Sequence, residues 1–341
     1  KLQGISQKEN RRIIAYQIPV SLFGIKLHGK TANITFRVRC PAFTGYRRKS
    51  DKHFCLFANF RKNLCFCVFF NIVCNCKSSV CTGAFGVHLR GLFLQGRRDA
   101  QKAIHGVLLN NAEKYSPKED SIVIDDCKIA GFSGHGVHLL RIWLFIIRHS
   151  IMQSNKGCGV QITGWDGFVT DNQFSGNGSH GFGCEEVGAT VMFTANRVEW
   201  NQGYGLYLCS GDAWNVTGNC FDRNWGAGIC ATKMRTTSIT GNVFRRCGKD
   251  SNMLAEGERS CQIRLEECSG LSCVSNTCAA GRDDGGQGKY TPQVGFIVRK
   301  LSYSVIANNT LYRGFMDQMV VDLGEHGDEY VFANNVGCPM K

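Results

Sequence analysis

A block of about 23 residues repeats from about Ser121 to the end of the chain, and it constrains the fold more than any other feature. One column of the repeat reads Asp126, His149, Asn172, Asn196, Asn219 and Asn242, at spacings of 23, 23, 24, 23 and 23. A second reads Asn155, Asn177, Asn201, Asn224 and Cys247, and a third Gly136, Gly159, Gly181, Gly205 and Gly228. Three columns in register over five repeats describe a solenoid, in which each repeat stacks only on its neighbours.

The unit DAWNVTGNCFDRNWGAGICATKM (212–234) holds three short stretches of alternating character and none with helical spacing. Alternation with period two buries one face of a strand. Three strands per turn with tight corners predict an all-β rung of a parallel β-helix. The missing leucine ladder excludes leucine-rich repeats. The corners fall on the Asn and Gly columns, because Asn and Gly tolerate left-handed backbone that other residues resist. Stacked Asn side chains can also bond to their equivalents one rung away. His149 reads as a substitute corner residue. About nine rungs of roughly 4.8 Å give a rod on the order of 43 Å long. Its expected core includes Val137, Leu139, Val160, Ile162, Phe182, Leu206, Leu208, Ile229, Phe296 and Val298.

On these columns the chain resembles the right-handed parallel β-helix repeat proteins, the pectate-lyase-like superfamily that includes phage tail spikes, over residues 85–339. The resemblance implies a right-handed solenoid. It leaves function broad, since the superfamily holds polysaccharide lyases, glycoside hydrolases, sugar epimerases, fructotransferases and non-enzymatic adhesins. No stretch matches an active-site motif of any one of them, so no catalytic residue is carried over.

Charge is segregated along the chain. Residues 1–95 hold 16 Lys/Arg and two acids, Glu9 and Asp51, for +14; residues 96–341 hold 24 Lys/Arg and 25 Asp/Glu, for −1. The repeats carry no basic bias, which argues against nucleic acid as a partner. Residues 1–84 form an atypical basic, Cys- and Phe-rich segment ahead of the β-helix of 85–341, with seven Cys and no repeat. Cys65 with Cys67 and Cys74 with Cys76 look ligand-like, but zinc pairs are usually spaced by two to four residues. The apolar run 64–73 is too short to span a bilayer, which needs about 20 residues. It resembles a signal-peptide core in the wrong place. The favoured reading of 1–84 is a misassigned or mistranslated region, expected to be poorly ordered. No transmembrane helix is expected, and an extracellular or virion-associated setting is favoured. The remaining Cys fall mostly on strand positions and read as small buried hydrophobes.

The strand after the Gly column is the expected functional face. Its outward positions form two files: His138, Gln161, Gly183, Tyr207, Cys230, Arg264, and Leu140, Thr163, Glu185, Cys209, Thr232, Glu266, Arg299, Asp322. Glu266 and Arg299 are expected to pair across adjacent rungs. Two long rungs, 235–268 and 269–301, carry insertions at one place, 248–260 and 281–293. Insertions stacked on one side commonly build a binding side. They add Lys249, Asp250, Glu256, Glu258, Arg259, Arg282, Asp283, Asp284, Lys289 and Tyr290. Glycoside hydrolysis needs two carboxyl groups, and elimination from a uronic acid needs a cation and a base. The candidate catalytic residues are therefore Asp283, Asp284, Glu258, Glu266 and Arg264. Tyr207, Gln161, Glu185, Arg282, Lys289, Tyr290 and Arg299 are candidate substrate contacts. Asp283 and Asp284 could hold Ca²⁺, which favours clustered carboxylates. Trp165, Trp200, Trp214 and Trp225 lie near corners, where an exposed ring would stack on a sugar. The function expected is a protein that binds, and in its active form cleaves, an extended polysaccharide. Its rival is a structural or adhesive β-helix, such as a homotrimeric tail or surface protein.

Overall fold

The computed structural model describes residues 86–111, 119–248, 258–279, 292–312, 316 and 318–337 in full, together with the backbone of short strands ahead of them. Each rung has three strands. Side strands such as Ile122–Asp125, back strands such as Lys128–Ala130 and front strands such as Cys261–Glu266 recur in that order. Back strands pair in parallel from Leu92–Gln95 to Thr310–Tyr312. Front and side strands share a second parallel sheet, because in four consecutive rungs they run on as one long bent strand: Val137–Arg148, Val160–Thr170, Phe182–Thr194 and Leu206–Thr217. Ahead of the regular rungs, Phe70–Val73 and Val80–Thr82 pair in parallel with Leu92–Gln95 and Val107–Asn110. Otherwise the expectation for residues 1–84 lies outside the described residues. Among the described residues no helix is long and apolar enough to cross a membrane.

Alternation fills the interior. Every core residue expected from the sequence is at most 1 % exposed, and the cluster runs unbroken from Val107 to Val320. Phe221 stacks on Phe244 with centroids 5.0 Å apart. Nine of the cysteines, from Cys127 to Cys278, are buried as free thiols, while Cys209 and Cys220 are half-buried.

The corners work differently from the expectation. The left-handed residues stand one position before the Asn columns: Asp126, His149, Asp171, Ala195, Gly218 and Gly241 at one corner, and Ser154, Gly176, Trp200, Arg223 and Arg246 at the next. His149 therefore occupies the turn, and Ser150 takes the ladder position, its N–H donating to Asn172 Oδ1 at 3.0 Å. The Asn side chains are buried and supply hydrogen bonds. Asn172 gives both its N–H and Nδ2 to Asn196 Oδ1, at 3.0 and 3.1 Å, and Nδ2 also reaches the Ile147 carbonyl at 2.8 Å. The same pattern passes through Asn219, Asn242, Asn276, Asn309 and Asn335. The second column runs from Asn155 through Asn177, Asn201 and Asn224 to Cys247.

Glycine in the third column answers a close approach, not a backbone angle. A Cβ on Gly205 would sit 2.6 Å from the Gly228 carbonyl oxygen and 2.8 Å from the Phe221 ring, and Gly136 and Gly159 meet the next rung's carbonyl likewise.

Two outcomes follow. Asn196→Ala removes the acceptor of the Asn172 N–H and of one Nδ2 hydrogen in a dry interior, Nδ2 keeping its bond to Ile147, at about 1–3 kcal/mol per unsatisfied group. A loss of roughly 3 kcal/mol is expected in chemical denaturation. Gly205→Ala forces backbone to separate from backbone, and should abolish the folded circular-dichroism signal or drop the melting temperature more than Gly241→Ala, whose added Cβ meets nothing within 4 Å.

Candidate functional site

The front sheet has the register read from the sequence along its first file: His138, Gln161, Gly183, Tyr207, Cys230 and Arg264 are successive partners. The file is nevertheless half-covered. The residues just before the Gly column turn back over it: His135 packs on His138, Cys158 bonds Gln161, and His180 and Tyr204 pack on Tyr207. His180 lies 4.8 Å from Tyr207 by ring centroids, and Tyr204 lies 5.4 Å from it. Gln161 is 8 % exposed and its Oε1 accepts from Cys158 Sγ at 3.2 Å, so it is not offered to a ligand as expected. Cys230 is buried as well. Burial pushes the Tyr207 phenol up to about 12, with the Cys209 and Cys230 thiols and Glu185 adding to it, so this ring stays protonated.

Arg264, beyond which the file continues as Ile297 and Val321, gathers two of the expected catalytic residues. Its Nη2 and Nη1 donate to Glu258 Oε1 and Oε2 at 2.8 and 3.1 Å, and its Nε donates to Glu266 Oε1 at 2.6 Å. One guanidinium thus bridges two carboxylates in fork geometry, the strong form of such a contact. Burial alone would lower the Arg264 pKa, but the Glu258 hydrogen bond and both carboxylate charges outweigh it and raise the group. Beside it, Tyr204, Trp225, Ser260 and Cys261 line a shallow depression that Arg264 completes.

The second file holds the more open groups. Cys209, Thr232, Glu266 and Arg299 are in register. Glu266 and Arg299 are neighbours without the expected ion pair: Glu266 turns to Arg264, and Arg299 Nη2 meets Glu325 at 2.7 Å. Asp322 stands one place out of the expected file, opposite Val298, and accepts from His326 Nε2 at 2.7 Å. Between the two files' middle rungs the sheet bulges. Ile162 and Gly164 face Cys184 and Gly188, so residues 185–187 are pushed outward, with Glu185, Glu186 and Val187 all exposed. Bulges re-aim side chains and concentrate beside functional sites. The sequence reading found Glu185 but missed Glu186 and the bulge. The signal is in the spacing: 15 residues separate Gly181 from Asn196, against 13 between Gly159 and Asn172.

Arg282, Asp283, Asp284, Lys289, Tyr290, Lys249, Asp250 and Glu256 lie outside the described residues. Of the tryptophans, Trp214 is core at 1 % exposure, Trp165 and Trp225 are half-buried, and Trp200 is 41 % exposed with the Arg223 guanidinium 4.6 Å above its ring.

Residues 100–244 match the family model described as a right handed beta helix region. The fold is the right-handed parallel β-helix. Among solved structures, the A-module of the mannuronan C-5 epimerase AlgE6 of Azotobacter vinelandii is 14 % identical, with a TM-score of 0.53, over 79 % of this chain and 81 % of that one. A double mutant of the periplasmic alginate epimerase AlgG is 11 % identical, with a TM-score of 0.54, over 80 % and 71 %. At these identities the likeness concerns the β-helix itself.

Arg264→Met keeps the aliphatic stem and leaves two carboxylates facing each other. A loss of about 2 kcal/mol at pH 7 is expected, below the roughly 3–5 kcal/mol for a fully buried pair because these side chains keep some exposure. The repulsion needs both carboxylates ionised, so the deficit should shrink as pH falls from 7 to 4. Denaturation midpoints at pH 7 and pH 4 check this.

Proposed function

We infer that the chain is a carbohydrate-active β-helix protein that binds an extended polysaccharide along its front sheet. The observation that carries this reading is the row of polar side chains at one-rung spacing, Cys209, Thr232, Glu266 and Arg299, flanked by the carboxylate-bearing bulge at 185–187. A flat parallel sheet repeats along its axis every 4.7–4.9 Å, so a chain of sugars lying along the rod meets like groups at regular intervals. Tyr207 and Glu185 form the middle of this surface, and Arg299 its far part. Arg282, Lys289 and Tyr290, with Asp283 and Asp284 as carboxylates or Ca²⁺ ligands, are proposed as its loop side.

The chemistry of the Arg264 bridge weighs on whether the bound polymer is cleaved. Hydrolysis requires one carboxyl group to arrive protonated. Glu258 has both carboxylate oxygens bonded to the Arg264 guanidinium and Glu266 has one, an arrangement that suits a binding group better than a proton donor. Arg264, occupied by both, is not disposed to neutralise a uronate. Cleavage by this site thus calls on the loop carboxylates Asp283 or Asp284 for the acid. The adhesive or structural alternative has one observation of its own. Ile146, Phe168 and Met192 form an apolar row on the outer side of the side sheet, with Phe168 47 % and Met192 38 % exposed, which suits a subunit contact in a homotrimer.

The test is a panel of acidic and neutral polysaccharides presented with and without Ca²⁺, read for binding by affinity electrophoresis and for cleavage by reducing ends and ultraviolet absorbance. Retardation by at least one polymer is expected, weakened severalfold in Glu185→Gln/Glu186→Gln. Absorbance growth would assign elimination, and reducing ends without it hydrolysis. No retardation of a folded sample by any polymer, with a trimer in sedimentation equilibrium, would replace this reading with the adhesive one.

A further inference from the structure

At the first rungs of the front sheet three imidazoles meet. His105 and His135 stack with centroids 5.0 Å apart and rings 4° from parallel, and His138 packs against both at 4.8 and 4.9 Å. Their ring nitrogens come within 4.8 Å of one another, a spacing that a transition metal could use. The hydrogen bonds oppose that use. The His135 backbone N–H donates to His105 Nδ1 at 2.9 Å, and the Cys158 N–H donates to His135 Nδ1 at 2.9 Å. A neutral imidazole has one lone pair. In both rings it is spent on the rung above, and the proton sits on Nε2. A ligand to a metal needs that lone pair free.

The same bonds make the stack sensitive to acid. Protonating His105 or His135 puts a hydrogen on Nδ1, against a backbone N–H that has no other acceptor there. It also places a cation 5 Å from another imidazole. The surroundings give no relief. His138 Nδ1 is buried without a partner. The next rung presents Cys158 and Gln161, which bond each other, and then His180. Lys102 and Lys156 on the flanking turns are cationic, and Asp99 of the preceding turn is bound to Arg97. Among the described residues, the ionisable groups acting on His135 are other histidines.

We propose that this imidazole stack makes the first rungs of the front sheet an acid-labile part of the rod, which opens in mild acid while the histidine-free rungs after Tyr204 stay closed. Burial holds His135 at about 3 and His138 at about 4, and lowers His105. An opened rung would protonate these groups near the ordinary 6.5. The folded-state values are depressed, so the stability they guard is complete above pH 6.5 and drains as pH falls towards 4.

Hydrogen exchange of the full chain, corrected for intrinsic rates and read by mass spectrometry at pH 7 and pH 5, tests this. Protection of peptides covering 104–111 and 134–142 should fall about tenfold or more, while peptides within 211–248, which contain no histidine, keep theirs. His105→Asn/His135→Asn retains a carbonyl acceptor without a titrating group, and should flatten the pH dependence at this end. Equal protection at both pH values, or a uniform loss over all rungs, would overturn the proposal without touching polysaccharide binding. So would a rise in melting temperature on adding Zn²⁺ at pH 7 that disappears in the double variant, since it would mean the lone pairs are free.

Discussion

Everything in this rod depends on bonding between rungs. Each turn of chain is held by the one before and the one after, through parallel ladders on the sheets and asparagine columns at the corners. The columns offset a real cost. The corner residues just ahead of them sit in left-handed backbone, which disfavours an ordinary side chain by roughly 1–2 kcal/mol, yet Trp200, Arg223 and Ala195 all adopt it. They do so because the next residue's amide is anchored on two sides. The buried Asn satisfies donors and acceptors that no water could reach, and its removal leaves both a strained turn and an open backbone group.

The period made the fold legible before any coordinates, but its chemistry was assigned one atom too simply. Reading Asp126 and His149 into the Asn column follows from even spacing. The true column shifts to Cys127 and Ser150 because the rung between Ser150 and Asn172 is one residue shorter. Backbone freedom explains glycine at a corner, whereas Gly136, Gly159 and Gly205 are required by the nearness of another strand. Spacing along one chain cannot distinguish these causes, since the obstructing atom belongs to a different rung.

The face was legible in outline and less so in detail. Alternation put Tyr207, Glu185, Glu266 and Arg264 outward, and the insertion brought Glu258 to Arg264. What alternation could not supply is which outward residues are covered. Gln161 points away from the core and is still buried, because the turn before the Gly column folds over it. Glu266 likewise pairs with Arg264 on its own strand and Arg299 with Glu325, a choice that alternation does not distinguish.

The asparagine columns also have a direction. Between side chains the earlier rung donates and the later rung's side-chain carbonyl accepts, from Asn172 through to Asn335, while each later Asn returns its Nδ2 to a backbone carbonyl of the earlier rung. The column is therefore a vector, aligned with the order of synthesis. A rod cut after any such rung leaves that rung's Asn N–H and one Nδ2 hydrogen without their acceptor.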